Sequence, residues 1–344
     1  MSKNGIQPNP GSKTNGGKSQ LAGILIVLSA AALFSTLGVL TNLAFESGIS
    51  PVAFAAWRET FGAITMMILL LFGVGRPARA QRIPFSQIPK SELRNLCIGA
   101  LAFMTYSLAI FYAFVHLTVA LAYLLFYINP ALVTLISTVT GREVLTKPKL
   151  IALLLALGGS TMAIVGQMFG TEVRFDWIGI ALALLAAVGM SVYILVGRSG
   201  YSSVPASYAT TIFLVAGAIA FAIIGFSFGD KDSLLLPFQD GSHWPLLMFA
   251  GVIAAAVPTM MLLTGIRMIG ATRSSMLQIF EPVVGSVLAA IFLAQQLYFV
   301  QIVGGALILI AAYILQRSPE PEVEAAIAEP AGVSVSDLGS SVKQ

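Results

Sequence analysis

Apolar runs of about twenty residues alternate along this chain with short polar breaks. Ten such runs stand out, at 21–43, 51–73, 95–115, 118–139, 149–168, 177–197, 204–228, 244–266, 272–294 and 298–316. Each is long enough to cross the hydrocarbon core of a bilayer as a helix. None shows the strict polar–apolar alternation of a membrane β-strand, so helices are the predicted elements. Connections are short except at 74–94 and 229–243, so successive helices are expected to run antiparallel. The flanks have another character. Residues 1–20 are rich in Gly, Asn, Ser and Lys, and 317–344 in Pro, Glu, Ala and Ser; both are predicted to be disordered tails. No cleavable signal peptide is expected, because the first apolar run is long enough to act as an uncleaved anchor.

Charge orders these runs. With the N-terminus placed in the cytoplasm, sixteen of the nineteen Lys and Arg fall in inner segments and only Arg174 and Lys231 in outer loops. The nineteenth, Arg58, lies inside a span. Basic residues accumulate on the cytoplasmic side of membrane proteins, so this alternation predicts ten spans with both termini inside. A bacterial inner membrane is the expected location. Only three charges remain within spans: Arg58, Glu59 and Glu281.

Composition agrees and narrows the function. Hydrophobic types make up 57% of the 344 residues and charged types 10%, against about 25% charged in a soluble domain. The single cysteine, Cys97, excludes an internal disulfide and a cysteine-rich metal site, and only His116 and His243 supply imidazoles. Neither a zinc-protease, a P-loop nor a serine-hydrolase motif is present, so no cofactor and no metal are expected. The net charge of +4 is spread over membrane loops and forms no patch suited to nucleic acid.

Ten spans divide into two fives, and an odd number per half turns one half upside down relative to the other. "YINPALVTLISTVTGREVL" (127–145) overlays "FEPVVGSVLAAIFLAQQL" without a gap, placing Pro130 on Pro282, Asn129 on Glu281 and Glu143 on Gln295. "GILIVLSAAALFS" (23–35) likewise overlays "GIALALLAAVGMS" (179–191). The inner-loop cations Arg142, Lys147 and Lys149 become Ala294, Phe299 and Gln301, as expected if that second loop lies outside. Matched, proline-interrupted segments in inverted repeats point to a transporter's midplane site. Pro130 and Pro282 each remove a backbone donor and free a carbonyl of the preceding turn; both are candidate gating positions.

At these residues the chain resembles the EamA-type transporters of the drug/metabolite transporter superfamily, over about residues 20–316. The resemblance rests on two sets of five spans, Arg58 in the second, "NPALVTLIS…GREVL" ending the fourth and "FEPVVGSVLAAIFLAQQL" in the ninth. It implies an all-α integral membrane protein: ten transmembrane helices as two inverted five-helix repeats, 21–168 and 177–316, around a central cavity with the fourth and ninth spans near its centre. It also implies a glutamate near the end of those spans; Glu143 meets this and Gln295 departs from it.

Glu281 is the sharpest candidate, because a charge at the bilayer centre costs roughly 2.5–3.5 kcal/mol and must face the interior. It serves either substrate binding and proton coupling or a structural ion pair. Arg58 is expected to face the cavity, where it suits a substrate carboxylate; the alternatives are an ion pair with Glu281 or snorkelling to the outer surface. Glu59 is expected to be structural or interfacial. Asn129 either binds substrate or caps the carbonyl freed by Pro130. Tyr123 and Tyr127 share a helical face. With Trp57, Tyr106 and Tyr193 they form either an aromatic lining or ordinary packing. Close helix contact is expected at Gly158-Gly159 and Gly304-Gly305.

The resulting expectation is a secondary transporter, an exporter by resemblance, that moves a small metabolite such as an amino acid by alternating access. Its partners are that substrate, the lipid bilayer and protons as a candidate coupling ion; a homodimer stays open. A proton-coupled multidrug antiporter is the nearest alternative. A membrane-embedded enzyme or scaffold is the alternative of another class.

Overall fold

The computed structural model describes residues 12–75, 87–168, 174, 176–228, 230–292 and 298–317. Of the predicted tail 317–344 only Arg317, the last residue of the final helix, is described; residues 318–344, residues 1–11 and the expected counterpart Gln295 lie outside the described residues. Among the described residues the fold is all α, and nine helical segments are long and apolar enough to cross a membrane.

The elements in chain order are α1 (Ser12–Phe34), α2 (Leu37–Glu46), α3 (Pro51–Leu71), α4 (Lys90–His116), α5 (Val119–Phe126), α6 (Asn129–Val139), α7 (Lys147–Met168), α8 (Trp177–Ser199) and α9 (Ala206–Ser227). They continue with α10 (Lys231–Gln239), α11 (Trp244–Gly251), α12 (Val257–Ile269), α13 (Ala271–Gln278), α14 (Glu281–Phe292) and α15 (Phe299–Arg317). A π-turn at Val252–Ala256 joins α11 to α12.

Three differences from the pattern reading have physical causes. Residues 12–20 are helical, continuing α1 outward, because extending a formed helix costs far less than starting one. The run 272–294 is not one helix: α13 and α14 meet at a break over Ile279 and Phe280, just before Pro282. The connection 229–243 holds the short helix α10, which apolar periodicity over so few residues did not reveal.

Local chemistry fixes the helix ends. Ser50 caps α3, its Oγ accepting from the Ala53 amide at 3.2 Å, with Pro51 in the first turn. Asp176 caps α8, accepting from Ile178 N–H at 3.0 Å. Gly270 takes φ +92° between α12 and α13, a conformation that a side chain would strain.

The most extensive helix pairs are α7 with α15, α4 with α8, α3 with α9 and α1 with α12. Each pair joins the first half of the chain to the second. Glycine permits the closest of them. A Cβ on Gly159 would lie 2.6 Å from the Gly304 carbonyl oxygen, and one on Gly304 would lie 2.5 Å from that of Gly159. The expected small-residue contact is therefore realised between α7 and α15.

Candidate functional site

The breaks at Pro130 and Pro282, 152 residues apart, share most of their hydrogen bonds. Ile128 N–H donates to Leu125 O and Phe280 N–H to Leu277 O, at 3.3 and 3.1 Å. Leu132 N–H donates to Ile128 O and Val284 N–H to Phe280 O, both at 3.2 Å. The Thr134 and Ser286 hydroxyls bond back to the carbonyls of Pro130 and Pro282, at 2.7 and 2.8 Å. The ungapped sequence overlay thus matches two equivalent irregularities of the backbone.

The two breaks differ in the residue that precedes the proline. In the first half, Asn129 Nδ2 donates to Phe126 O at 3.0 Å. Phe126 stands four residues before Pro130, so this is the carbonyl that the proline leaves without a helical donor. Of the two roles open to Asn129, the structure realises the cap. In the second half the equivalent residue is Glu281, buried in the first turn of α14.

Glu281 lines a small cavity of about 40 Å3 together with Arg58, Tyr106 and Tyr123. Phe34, Ile110, Phe111, Phe126 and Met190 give it apolar walls, and Ser107 and Gln278 add polar atoms. Four candidates from four stretches of the sequence therefore converge. Tyr127 is buried and stacks on Tyr123, with ring centroids 5.7 Å apart. Tyr123 shares the cavity wall with Glu281, and the buried Tyr127 hydroxyl finds no hydrogen-bond partner among the described residues. Trp57 does not line this cavity. Its Nε1–H donates to Leu234 O at 3.0 Å, and its ring packs edge-on against Phe238 and Trp244. Tyr193 is fully buried beside Phe103, Tyr106 and Phe213, in packing rather than lining.

Arg58 is fixed by an arrangement that its own segment does not reveal. Its Nη1 lies 2.5 Å from Glu59 Oε1, which also accepts from Ser107 Oγ at 3.2 Å. Nε and Nη2 both donate to the carbonyl of Ala254 in the π-turn, at 3.2 and 2.5 Å. Pro258, four residues on, has no N–H to offer that carbonyl, so the guanidinium takes the donor's place. Gly62 and Gly251 let the helices meet there; a Cβ on Gly62 would lie 3.0 Å from that of Ala255. The Arg58 guanidinium also sits 5.7 Å from the Phe111 ring centroid. It makes no direct ion pair with Glu281, although both side chains line the same cavity. Glu59 is fully buried, as a structural role requires.

Two further features flank the cavity. One turn beyond it, Asn42, Glu46, Ser50, Phe114 and Arg174 border an open depression of about 560 Å3. At the opposite end, Lys149 Nζ pairs with Glu143 Oε2 at 3.1 Å, and Glu143 Oε1 accepts from the Thr272 amide at 3.3 Å. There Arg198 donates to the carbonyls of Ile266 and Arg267, while Arg267 donates to those of Gly197, Tyr201 and Val204. Among the described residues no three His, Cys, Asp or Glu side chains converge to hold a metal ion.

The sequence pattern of the EamA-like transporter family matches this chain twice, over residues 21–165 and 177–317. The chain belongs to that family. Its assignment is to transporters rather than to enzymes, and it is an integral membrane protein. An uncharacterized transporter of Archaeoglobus fulgidus is 25% identical over 293 residues, covering 85% of this chain and 95% of the relative. The uncharacterized transporter YyaM of Bacillus subtilis is 23% identical over 290 residues, 83% of this chain and 91% of its own length. An uncharacterized Pseudomonas aeruginosa protein, PA1977, is 26% identical over 280 residues, 80% and 87% of the two chains. One solved crystal structure superposes with a TM-score of 0.69 at 21% identity, covering 86% of this EamA-family chain and 97% of its own. That likeness concerns the fold.

Ser107, Gln278 and Pro258 were missed in the sequence. Gln278, three residues before Glu281 in an apolar run, carried a readable signal. Ser107 carried none.

Proposed function

We propose that this protein is a secondary transporter of a small amphipathic metabolite, such as an amino acid, working by alternating access about Glu281 and Arg58. The observation that carries this reading is the buried cavity shared by Glu281, Arg58, Tyr106 and Tyr123, next to two matched proline breaks. A carboxylate and a guanidinium facing one space suit a solute that bears both charges, and the aromatic walls suit its apolar part. Pro130 and Pro282 loosen the central helices so that they bend as the halves rock.

The two halves are read as inverted repeats. The packing supports this. With α1 corresponding to α8, α3 to α9, α4 to α12 and α7 to α15, the pairs α3–α9 and α7–α15 map onto themselves. The pairs α1–α12 and α4–α8 then exchange. Gly23 packs against Met268 and Ile269, and Gly179 against His116 and Leu117. Gly23 and Gly179 are matched in the sequence overlay, and their partners again stand 152 residues apart. The distribution of Lys and Arg supports a reading with both termini in the cytoplasm at a bacterial inner membrane, in which the depression beside Arg174 opens outward. Export and proton coupling at Glu281 complete the reading. A multidrug antiporter for cations is disfavoured by Arg58 in the cavity wall.

The test is flux from proteoliposomes loaded with a mixture of amino acids and other metabolites, read by mass spectrometry with and without a proton gradient. Selective loss of a few compounds, absent in Glu281→Ala, is expected, and Glu281→Gln should carry flux that no longer follows pH. Equal flux from native protein and Glu281→Ala would overturn the assignment of the site. Full pH-dependent flux in Glu281→Gln would overturn the coupling.

A further inference from the structure

The helix α13 has the sequence ATRSSMLQ, with five polar residues in eight, yet all eight are buried. It contacts α1, α6, α8, α12 and α7, so it lies inside the bundle. The Thr272 and Ser274 hydroxyls and the Gln278 carbonyl oxygen Oε1 find no hydrogen-bond partner among the described residues. Folded proteins pair the large majority of such groups, and each one left unpaired costs about 1–3 kcal/mol. A cluster of them on one short helix calls for a state in which they are solvated or bound.

Their placement indicates which state. Ser274 and Gln278 are four apart and share a helical face, and Gln278 with Glu281 already lines the central cavity. The polar stripe therefore starts at the cavity floor and runs away from it along α13. The cavity continues from Gln278 past Glu281, where it is walled by α5 and the C-terminal half of α4. The matching stretch of the first half, VALAYLLF in α5, is apolar and contributes Tyr123 and Phe126 to that wall. The far end of α13 is closed by Glu143, which binds the Thr272 amide and Lys149 at once and so ties the α6–α7 connection to α13.

We propose that the buried polar face of Ser274 and Gln278 on α13 is the wall of a second, cytoplasm-facing half of the transport path. It opens when the Glu143 contacts with Lys149 and the Thr272 amide release. The path is then two-faced. An aromatic outer half accepts the apolar part of the solute, and a hydroxyl- and amide-lined inner half hydrogen-bonds its polar groups. A solute that is amphipathic, rather than uniformly apolar, fits both. This inference rests on the alternating-access reading above.

The test is one-sided labelling with a membrane-impermeant maleimide. Cys97 is the sole cysteine of the chain and is exposed, so Cys97→Ala provides the background for Ser274→Cys, Gln278→Cys and, in the outer wall, Ile110→Cys. Ser274→Cys and Gln278→Cys should label from the cytoplasmic face of oriented vesicles, and Ile110→Cys from the outer face. Adding Glu143→Gln should speed labelling at Ser274→Cys about tenfold, the shift that about 1.4 kcal/mol of lost closing contact produces. Folding of each variant is checked by size exclusion. If Ser274→Cys does not fold, Gln278→Cys carries the test, and amide exchange over 271–278 in the unmodified chain provides a second readout. Labelling of neither cysteine from the cytoplasmic face, or exchange over 271–278 as slow as at the buried positions of α8, overturns the inference. Metabolite flux without such labelling keeps the transporter and removes this path. Labelling without flux of any metabolite keeps the path and removes the proposed substrate class.

Discussion

Arg58 and Glu59 are neighbours in sequence, and their side chains meet, with Nη1 of Arg58 lying 2.5 Å from Oε1 of Glu59. The contact is closed off from water on the Glu59 side, where the residue is fully buried. Glu59 therefore fixes one edge of the Arg58 guanidinium, and Glu281 is the carboxylate of the cavity without a direct ion-pair partner among the described residues.

Removing Glu59 leaves a buried cation, so Glu59→Ala should destabilise the folded protein by about 3–5 kcal/mol. Glu59→Gln retains an acceptor for Arg58 and Ser107 and should cost less than half as much. Thermal unfolding of the purified protein in detergent distinguishes them; equal midpoints for the two variants would show that the lost charge, which they share, sets the cost and that the acceptor does not.

The cap on the first break predicts a coupling. Asn129→Ala leaves the Phe126 carbonyl unmet and should cost about 1–3 kcal/mol. Pro130→Ala restores a backbone N–H four residues on, so the Asn129→Ala penalty should shrink by more than half on that background. An additive double mutant would refute the account of the break.

The contact of α7 with α15 tolerates no side chain on the glycine of α15. A Cβ on Gly304 would lie 2.5 Å from the Gly159 oxygen and 2.8 Å from the Ala163 nitrogen, both backbone atoms. Gly304→Ala should therefore cost about 1–3 kcal/mol or more through forced separation of the helices. Gly158→Ala, where a Cβ would meet nothing within 4 Å, is the control and should be neutral. The yield of monodisperse protein measures both.

Acid should weaken the link of α4 to α8. The Ile178 amide and then His116, whose Nδ1 lies 2.5 Å from Asp176 Oδ2, hold the Asp176 carboxyl below the ordinary aspartate range. A depressed folded-state pKa stabilises fully above the unfolded value and is lost as pH falls through the folded one. The unfolding midpoint should thus drop more steeply between about pH 5 and pH 2 in the native protein than in Asp176→Asn. Parallel profiles would remove Asp176 from the acid response.

The apolar runs and the alternation of Lys and Arg identified the membrane helices, because a bilayer demands a minimum length of oil and a sign of charge at each end. The overlay of Pro130 on Pro282 likewise located both breaks, since a missing N–H disrupts a helix wherever it falls. Glu281, Arg58, Tyr106 and Tyr123 were legible as candidates by the cost or size of their side chains in an apolar setting. Only the tertiary structure brought these four to one cavity and sent Trp57 to Leu234. Only it gave the carbonyl of Ala254 to Arg58, nearly two hundred residues away. The physical reason is the range of the interactions. Length, charge and proline act within a segment, whereas the partner of a buried polar atom depends on which helices pack, and here every extensive pair crosses from one half of the chain to the other.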